Sequence, residues 1–309
     1  MRILFYAPDG KHAVWLEELH AALPQAQLRV WTEGDSEPAD YAIVWKPPAA
    51  MLEGRADLKA IFNLGAGVDA ILQLGDALPA NVPIVRLDDA GMAMQMAEYA
   101  THAVLHYFRR FDAFEAQARA GQWRFLKPYD KRDFSVGMLG LGVLGTHIAG
   151  TLAQFGFPLR GWSRGMKNLP GVSCYAGEQE LDAFLRDTRV LICVLPLTAA
   201  TDGILNRANL SKLPKGAYLV NVARGAHVVE KDLLALVQEG HIAGATLDVF
   251  RNEPLPAGHP FWQESRITIT PHIAALTLRG DSVRQIAAKI GAMERGEVIA
   301  GVVDRNRGY

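Results

Sequence analysis

One run constrains this chain more than any other: Ser135-Val-Gly-Met-Leu-Gly140-Leu-Gly142-Val-Leu-Gly145. A short apolar stretch ends in a glycine cluster, and an apolar-periodic segment follows through Ile148, Leu152 and Phe155. That order reads as strand, tight turn, helix. The spacing Gly140-x-Gly142-x-x-Gly145 suits the pyrophosphate of a dinucleotide. The first glycine permits the turn, the second lets the backbone approach phosphate, and the third lets helix and strand pack closely. The free N–H groups of the helix then face the anion. Glycine-rich turns are common in α/β proteins. It is the strand before and the helix after that favour dinucleotide binding over a plain turn, with Gly140, Gly142, Val143, Leu144 and Gly145 as the expected loop.

The 309 residues leave room for two domains. Half the residues are hydrophobic (50%), 21% are charged and the formal net charge is −1, the profile of a soluble globular enzyme. There is no basic excess to attract nucleic acid, and no apolar run approaches the ~20 residues of a membrane span. Met1–Ala7 could open a signal peptide, but Pro8-Asp9-Gly10 ends it too early, so a first strand is expected there. Cys174 and Cys193 are the only cysteines. Cys193 is expected as a buried thiol in a strand. Neither a disulfide nor a metal site is expected, which points to a reducing cytoplasm.

The first third alternates strand-like runs (2–7, 41–45, 60–64, 82–86) with helical segments such as Ala13–Leu23. Gly91–Ala120 reads as one long helix, whose apolar face from Met96 to Phe114 must cover the second domain or another subunit. Arg109-Arg110 then falls on a solvated helix face or a dimer contact. From Phe134 a second α/β unit offers six strands: 135–140, 158–162, 190–195, 217–222, 243–249 and 267–271. Helices fit between them, for example Glu178–Arg186 and Glu230–Gln238. Six strands opened by a glycine fingerprint predict a doubly wound parallel sheet. The helix expected over Thr277–Glu294 would return to the first domain. The expected division is residues 1–96 plus 280–309 as one domain and 97–279 as an inserted dinucleotide-binding domain.

Strand ends in the second unit carry the chemistry. Arg224 follows Asn221-Val222-Ala223, Glu253 follows the strand ending Asp248-Val249-Phe250, and His272 follows Ile269-Thr270-Pro271. Reducing a 2-oxo acid needs a cation for the carboxylate, and arginine's planar fork fits it. It also needs a proton donor for the carbonyl oxygen, and histidine titrates near working pH. A neighbouring carboxylate orients the imidazole and favours its charged form. Singly, each residue has an ordinary reading as a loop charge, a solvated turn residue or a cap. Together, each just beyond an apolar strand, they favour function. Where an NAD-binding domain usually places an acid for the ribose hydroxyls, this chain has Ser163 and Arg164. Arginine would pair with a 2′-phosphate that an acid would repel, so NADP(H) is expected over NAD(H). Leu195 and Pro196 end a strand on the nicotinamide side, and Val222 and Ala223 complete that side.

The segments Gly140–Gly145, Asn221-Val222-Ala223-Arg224-Gly225, Asn252-Glu253-Pro254-Leu255 and Pro271-His272-Ile273-Ala274 resemble the D-isomer-specific 2-hydroxyacid dehydrogenase family over nearly the whole chain. Gly161-Trp162-Ser163-Arg164, Tyr107–Phe111 and Val303–Tyr309 resemble its glyoxylate/hydroxypyruvate reductase A branch. The resemblance implies two Rossmann/flavodoxin-like domains, the cofactor domain inserted in the substrate domain, and a homodimer. It implies Arg224 on the substrate's carboxylate and carbonyl, His272 as acid/base and Glu253 as its partner. It also makes Ala66 and Gly67, in the loop Asn63–Asp69, substrate candidates through their backbone N–H groups. An ordinary glycine turn is the alternative there. Trp45 would wall the substrate cleft or sit in the core. Asp248 would hold the nicotinamide amide or serve as a cap. The implied activity is NADPH-dependent reduction of glyoxylate and hydroxypyruvate. The competing readings are a relative acting on phosphoglycerate, a bulkier 2-oxo acid or formate, and a nucleotide-sensing corepressor-like protein. Glu253 speaks against a formate enzyme, and the lack of residues beyond Tyr309 against phosphoglycerate and corepressor readings.

Overall fold

Apolar strands alternating with helices give this chain two sheets, both wholly parallel. A computed structural model describes residues 1–8, 10 and 12–309. Asp9, within the turn expected at 8–10, lies outside the described residues. The chain divides into two units, Met1–Gly91 with Thr277–Tyr309, and Met92–Leu276.

The first unit holds β1 (Arg2–Tyr6), α1 (His12–Ala22), β2 (Gln27–Val30), β3 (Tyr41–Val44), α2 (Ala49–Leu52), β4 (Ala60–Asn63), α3 (Asp69–Leu72) and β5 (Ile84–Val85). The strand order β2-β1-β3-β4-β5 is the flavodoxin-like order. The core strands β3 and β4 are buried at every position. That is why they read as unbroken apolar runs rather than alternating ones.

The second unit comprises α4 (Met92–Phe108), α5 (Phe111–Arg119), β6 (Val136–Leu139), α6 (Val143–Ala153), β7 (Leu159–Ser163), β8 (Val172–Ala176), α7 (Gly177–Arg186), β9 (Val190–Cys193), α8 (Arg207–Leu210), β10 (Ala217–Asn221), α9 (Glu230–Gln238), β11 (Ile242–Leu247) and β12 (Ile267–Ile269). Its order is β12-β11-β10-β9-β6-β7-β8. The sheet is doubly wound about β6 and β9, and the order reverses there. Ligands bind at the carboxyl ends of strands beside such a switch point.

The helix expected over Gly91–Ala120 is two helices. Arg110 adopts a left-handed conformation (φ 61°) and starts α5. Arginine is a good helix former, so no propensity signal marks this break. Arg109-Arg110 is therefore a helix junction, with Arg110 donating to the Lys127 carbonyl at 3.1 Å. The apolar face of α4 (Met96, Ala97, Ala100, Ala103, Val104, Tyr107) is buried with Ile148, Ala149 and Leu152 of α6. Of the two coverings expected for this face, it is the second domain. An expected boundary at residue 97 would cut α4, which lies wholly in the inserted unit. Two strands, β2 and β8, escaped the sequence reading. Both are edge strands, half-exposed along most of their length, so neither carries an apolar run.

α10 (Arg279–Glu294) returns to the first unit and packs on α1. The tail beyond it pairs with the β5 edge through Val85 and Val302.

Candidate active site

The glycine turn closes β6 onto α6. Gly140 has φ +117°, which side chains rarely adopt, and its N–H donates to the Trp162 carbonyl at 2.8 Å. A Cβ on Gly145 would sit 2.0 Å from the Gly140 carbonyl oxygen, so the helix rests directly on the turn. A Cβ on Gly142 would meet nothing within 4 Å. The backbone there stands open at the helix N-terminus, where no side chain caps α6. This is the cradle a pyrophosphate requires. β7 runs beside β6 with Trp162 opposite Leu139, which sets Ser163 and Arg164 at the same sheet edge. The Ser163 hydroxyl donates to Gly165 at 2.8 Å, and Arg164 is exposed. A dinucleotide fits these residues. Leu195 is buried, and the Pro196 carbonyl accepts from the Thr201 hydroxyl at 2.7 Å.

Arg224 leaves the end of β10 on a turn fixed from three sides. The buried Asn221 donates its amide to the Arg224 carbonyl at 3.0 Å and accepts from Ala223 N–H at 3.2 Å. A Cβ on Gly225 would fall 1.8 Å from the Phe250 carbonyl carbon, so only glycine lets this turn lie against the chain after β11. The His227 ring reaches both the Arg224 backbone and the Pro196 carbonyl. Val222 and Ala223 are buried beneath. Arg224 is half-buried, with one guanidinium N–H on the Ala223 carbonyl at 2.7 Å.

His272 and Glu253 meet: Nδ1 lies 2.8 Å from Oε2. The other Glu253 oxygen accepts from Phe250 N–H at 3.0 Å, so the carboxylate is fixed before it orients the ring. His272 has φ 57° and donates its backbone N–H to the Asp248 carbonyl at 2.8 Å. Asp248 is 1% exposed, and its carboxylate gathers the loop around His272. It accepts from the Thr270 hydroxyl (2.6 Å) and from the backbone N–H groups of Ile273 and Ala274 (both 2.8 Å). Tyr99 of α4 lies 2.5 Å from the Thr270 hydroxyl. Because that hydroxyl already donates to Asp248, Tyr99 is the donor. Burial pushes its phenol up to about 12, so it keeps its proton.

Arg224, Glu253 and His272 thus share the carboxyl edge of one sheet, linked through Gly225, Phe250 and Asp248. Ala66, Gly67 and Trp45 belong to the other unit. There Asn63 donates to both the Gly65 and Gly67 carbonyls at 3.0 Å, shaping the loop after β4. A Cβ on Gly65 would meet the Trp45 ring at 2.6 Å, so the half-buried indole packs on that loop. Asn221, His227, Thr270 and Tyr99 escaped the sequence reading. Asn221 carried a weak signal as a polar residue closing an apolar strand, and the others carried none.

A Rossmann-ordered sheet with a glycine cradle at its switch point, and an arginine and a carboxylate-held histidine on its carboxyl edge, defines a dinucleotide-dependent oxidoreductase. More narrowly, the chain belongs to the D-isomer-specific 2-hydroxyacid dehydrogenases, whose NAD-binding-domain model matches residues 101–274. It is similar to a D-isomer-specific 2-hydroxyacid dehydrogenase from Xanthobacter autotrophicus in complex with NADPH and MES. That likeness has 41% identity and TM-score 0.94 over 100% of this chain and 99% of that one. An NADPH-dependent glyoxylate/hydroxypyruvate reductase from Sinorhizobium meliloti, in complex with NADP and sulfate, shares 35% identity at TM-score 0.88, with the same coverage. A probable 2-hydroxyacid dehydrogenase from Rhizobium etli, in complex with NADP, HEPES and L(+)-tartaric acid, shares 32% at TM-score 0.91, again over 100% and 99%.

Proposed function

We propose that this enzyme reduces small 2-oxo acids with NADPH, converting glyoxylate to glycolate and hydroxypyruvate to D-glycerate. The observation that carries the reading is the His272–Glu253 pair at 2.8 Å beside the Arg224 turn. Gly140, Gly142, Val143, Leu144 and Gly145 would hold the pyrophosphate, and Ser163 and Arg164 the 2′-phosphate. Leu195, Pro196, Val222 and Ala223 would line the nicotinamide side. Asp248 would reach the carboxamide with the acceptor capacity its three loop hydrogen bonds leave. When bound, NADPH supplies a hydride to the carbonyl carbon. Arg224 binds the substrate carboxylate and polarises the carbonyl. Glu253 accepts a hydrogen bond from Nδ1–H of His272, which orients the ring so that the imidazolium gives its Nε2 proton to the carbonyl oxygen and is left neutral. The NADP-bound relatives and the arginine where an acid is usual both support NADP(H) over NAD(H).

The test is turnover of purified protein with NADPH or NADH against glyoxylate, hydroxypyruvate and bulkier 2-oxo acids, followed by the absorbance of the reduced nicotinamide. Faster turnover of the two small acids with NADPH is expected. Preference for a bulky acid would move the enzyme elsewhere in the family, and tight NADPH binding without turnover would favour a nucleotide sensor. A cytoplasmic homodimer completes the reading. Both cysteines are free thiols, and Trp123 and Phe125 stand 104% and 83% exposed on the stretch after α5, apolar surface that a second copy would cover. Light scattering checks the mass.

A further inference from the structure

His227 has no part in the chemistry above, yet it is fully buried, and its ring spans two parts of the site. Nδ1 lies 3.2 Å from the Arg224 backbone nitrogen and 3.0 Å from its carbonyl oxygen. Nε2 lies 3.3 Å from the Pro196 carbonyl oxygen. A neutral imidazole has one donor and one acceptor. With the proton on Nε2, the ring donates to Pro196 and accepts the Arg224 N–H. The other tautomer would set a bare nitrogen against the Pro196 oxygen. The Arg224 carbonyl has other donors, Asn221 Nδ2 at 3.0 Å and the His227 N–H at 3.2 Å. Burial holds the ring below its ordinary pKa, with the Arg224 charge adding to the effect. The Pro196 and Arg224 carbonyls and Asp202 pull the other way. Backbone bonds run along the same seam, from Gly203 N–H to the Ala226 carbonyl (2.9 Å) and from Leu205 N–H to the His227 carbonyl (2.8 Å). The ring adds a side-chain link at the end that carries Arg224 and Pro196.

We propose that His227 is a positioning residue that ties the substrate-binding Arg224 turn to the coenzyme-side Pro196 segment. This rests on the function proposed above. The two ring nitrogens can be tested separately. In His227→Asn the amide oxygen takes the place of Nδ1 and still accepts the Arg224 N–H, but Pro196 loses its donor. In His227→Gln the amide nitrogen takes the place of Nε2 and still serves Pro196, but the Arg224 N–H loses its acceptor. The expected result is a crossover. The Asn variant weakens NADPH binding, read by fluorescence titration, about five- to tenfold and leaves the KM for glyoxylate nearly unchanged. The Gln variant does the reverse. Thermal midpoints show that both variants are folded, and nitrogen NMR of labelled histidine in the wild type should find the proton on Nε2. Equal effects of the two variants on both parameters, or none on either, would overturn the proposal. Arg224→Lys is the control. If it leaves the KM for glyoxylate unchanged, the substrate role of Arg224 falls and the proposal with it. If it raises that KM while the Gln variant does not, only the role of His227 fails.

Discussion

Two turns on the same sheet edge hold the side chains of the proposed site by opposite means. The Arg224 turn is set by neutral groups, the Asn221 amide and the His227 ring, and by the close approach of Gly225 to Phe250. The His272 loop is set by a buried charge, Asp248, which collects one hydroxyl and two backbone N–H groups. The difference follows from what each turn presents. Beside a guanidinium, a neutral scaffold leaves the positive charge for the substrate proposed above. Beside a histidine that, on the proposed function, would hand over a proton, an anion can gather the loop through its backbone while a separate carboxylate, Glu253, holds the ring.

The comparison breaks first where the tolerance is least. Gly225→Ala would drive a methyl to within 1.8 Å of the Phe250 backbone, so main chain must move. The expected result is loss of more than about 4 kcal/mol, or failure to accumulate folded protein, read by the urea midpoint and soluble yield. Asp248→Ala should cost about 3 kcal/mol, because it removes the acceptor of the buried Ala274 N–H and of two part-buried donors beside it. Asp248→Asn tests whether the charge matters. Its amide keeps one acceptor oxygen but sets an N–H against the loop's donors, so most of the loss should remain. A wild-type midpoint for the Asn variant would show that shape, not charge, gathers this loop.

The next effect is on rate alone. His272 sits at φ 57°, a conformation asparagine tolerates better than most residues. His272→Asn should therefore leave stability within about 0.5 kcal/mol and lower kcat about a hundred- to ten-thousandfold. A comparable drop in thermal midpoint would mean that the ring supports the loop as well as the chemistry. A smaller effect is expected at the far side of the glycine turn. Arg164→Leu should raise the KM for NADPH about ten- to a hundredfold and barely change that for NADH.

What the sequence disclosed follows the same division. Strands buried on both faces, such as β4 and β9, and the glycine turn after β6 left plain signals, because their physics is local. So did Arg224, Glu253 and His272, each placed just past an apolar strand. What stayed hidden depends on distant partners. Asp248 was visible as a strand-end acid, but its grip on residues 25 and 26 positions away was not. His227 looked like any turn histidine, because Pro196 lies 31 residues earlier in the chain. The junction at Arg110 hid because its residues favour the helix they interrupt, and β8 because an edge strand needs no apolar run.

The smallest effect separates the two scaffolds by pH. Burial lowers the pKa of His227 from its ordinary 6.5, so below that pH the unfolded chain binds a proton that the folded chain resists. The stability due to the neutral ring is complete above 6.5 and is lost as pH falls through the folded value. The slope is at most about 1.4 kcal/mol per pH unit. His227→Asn carries no such group. The wild type should be the more stable at pH 7.5, and its advantage should shrink as pH drops below 6.5, measured as the difference in urea midpoints at each pH. Taking the difference cancels the other titrating groups that the two proteins share. A constant advantage across that range would mean that the buried ring accepts a proton at no cost, and the Arg224 turn would then be no more neutral in its support than the loop gathered by Asp248.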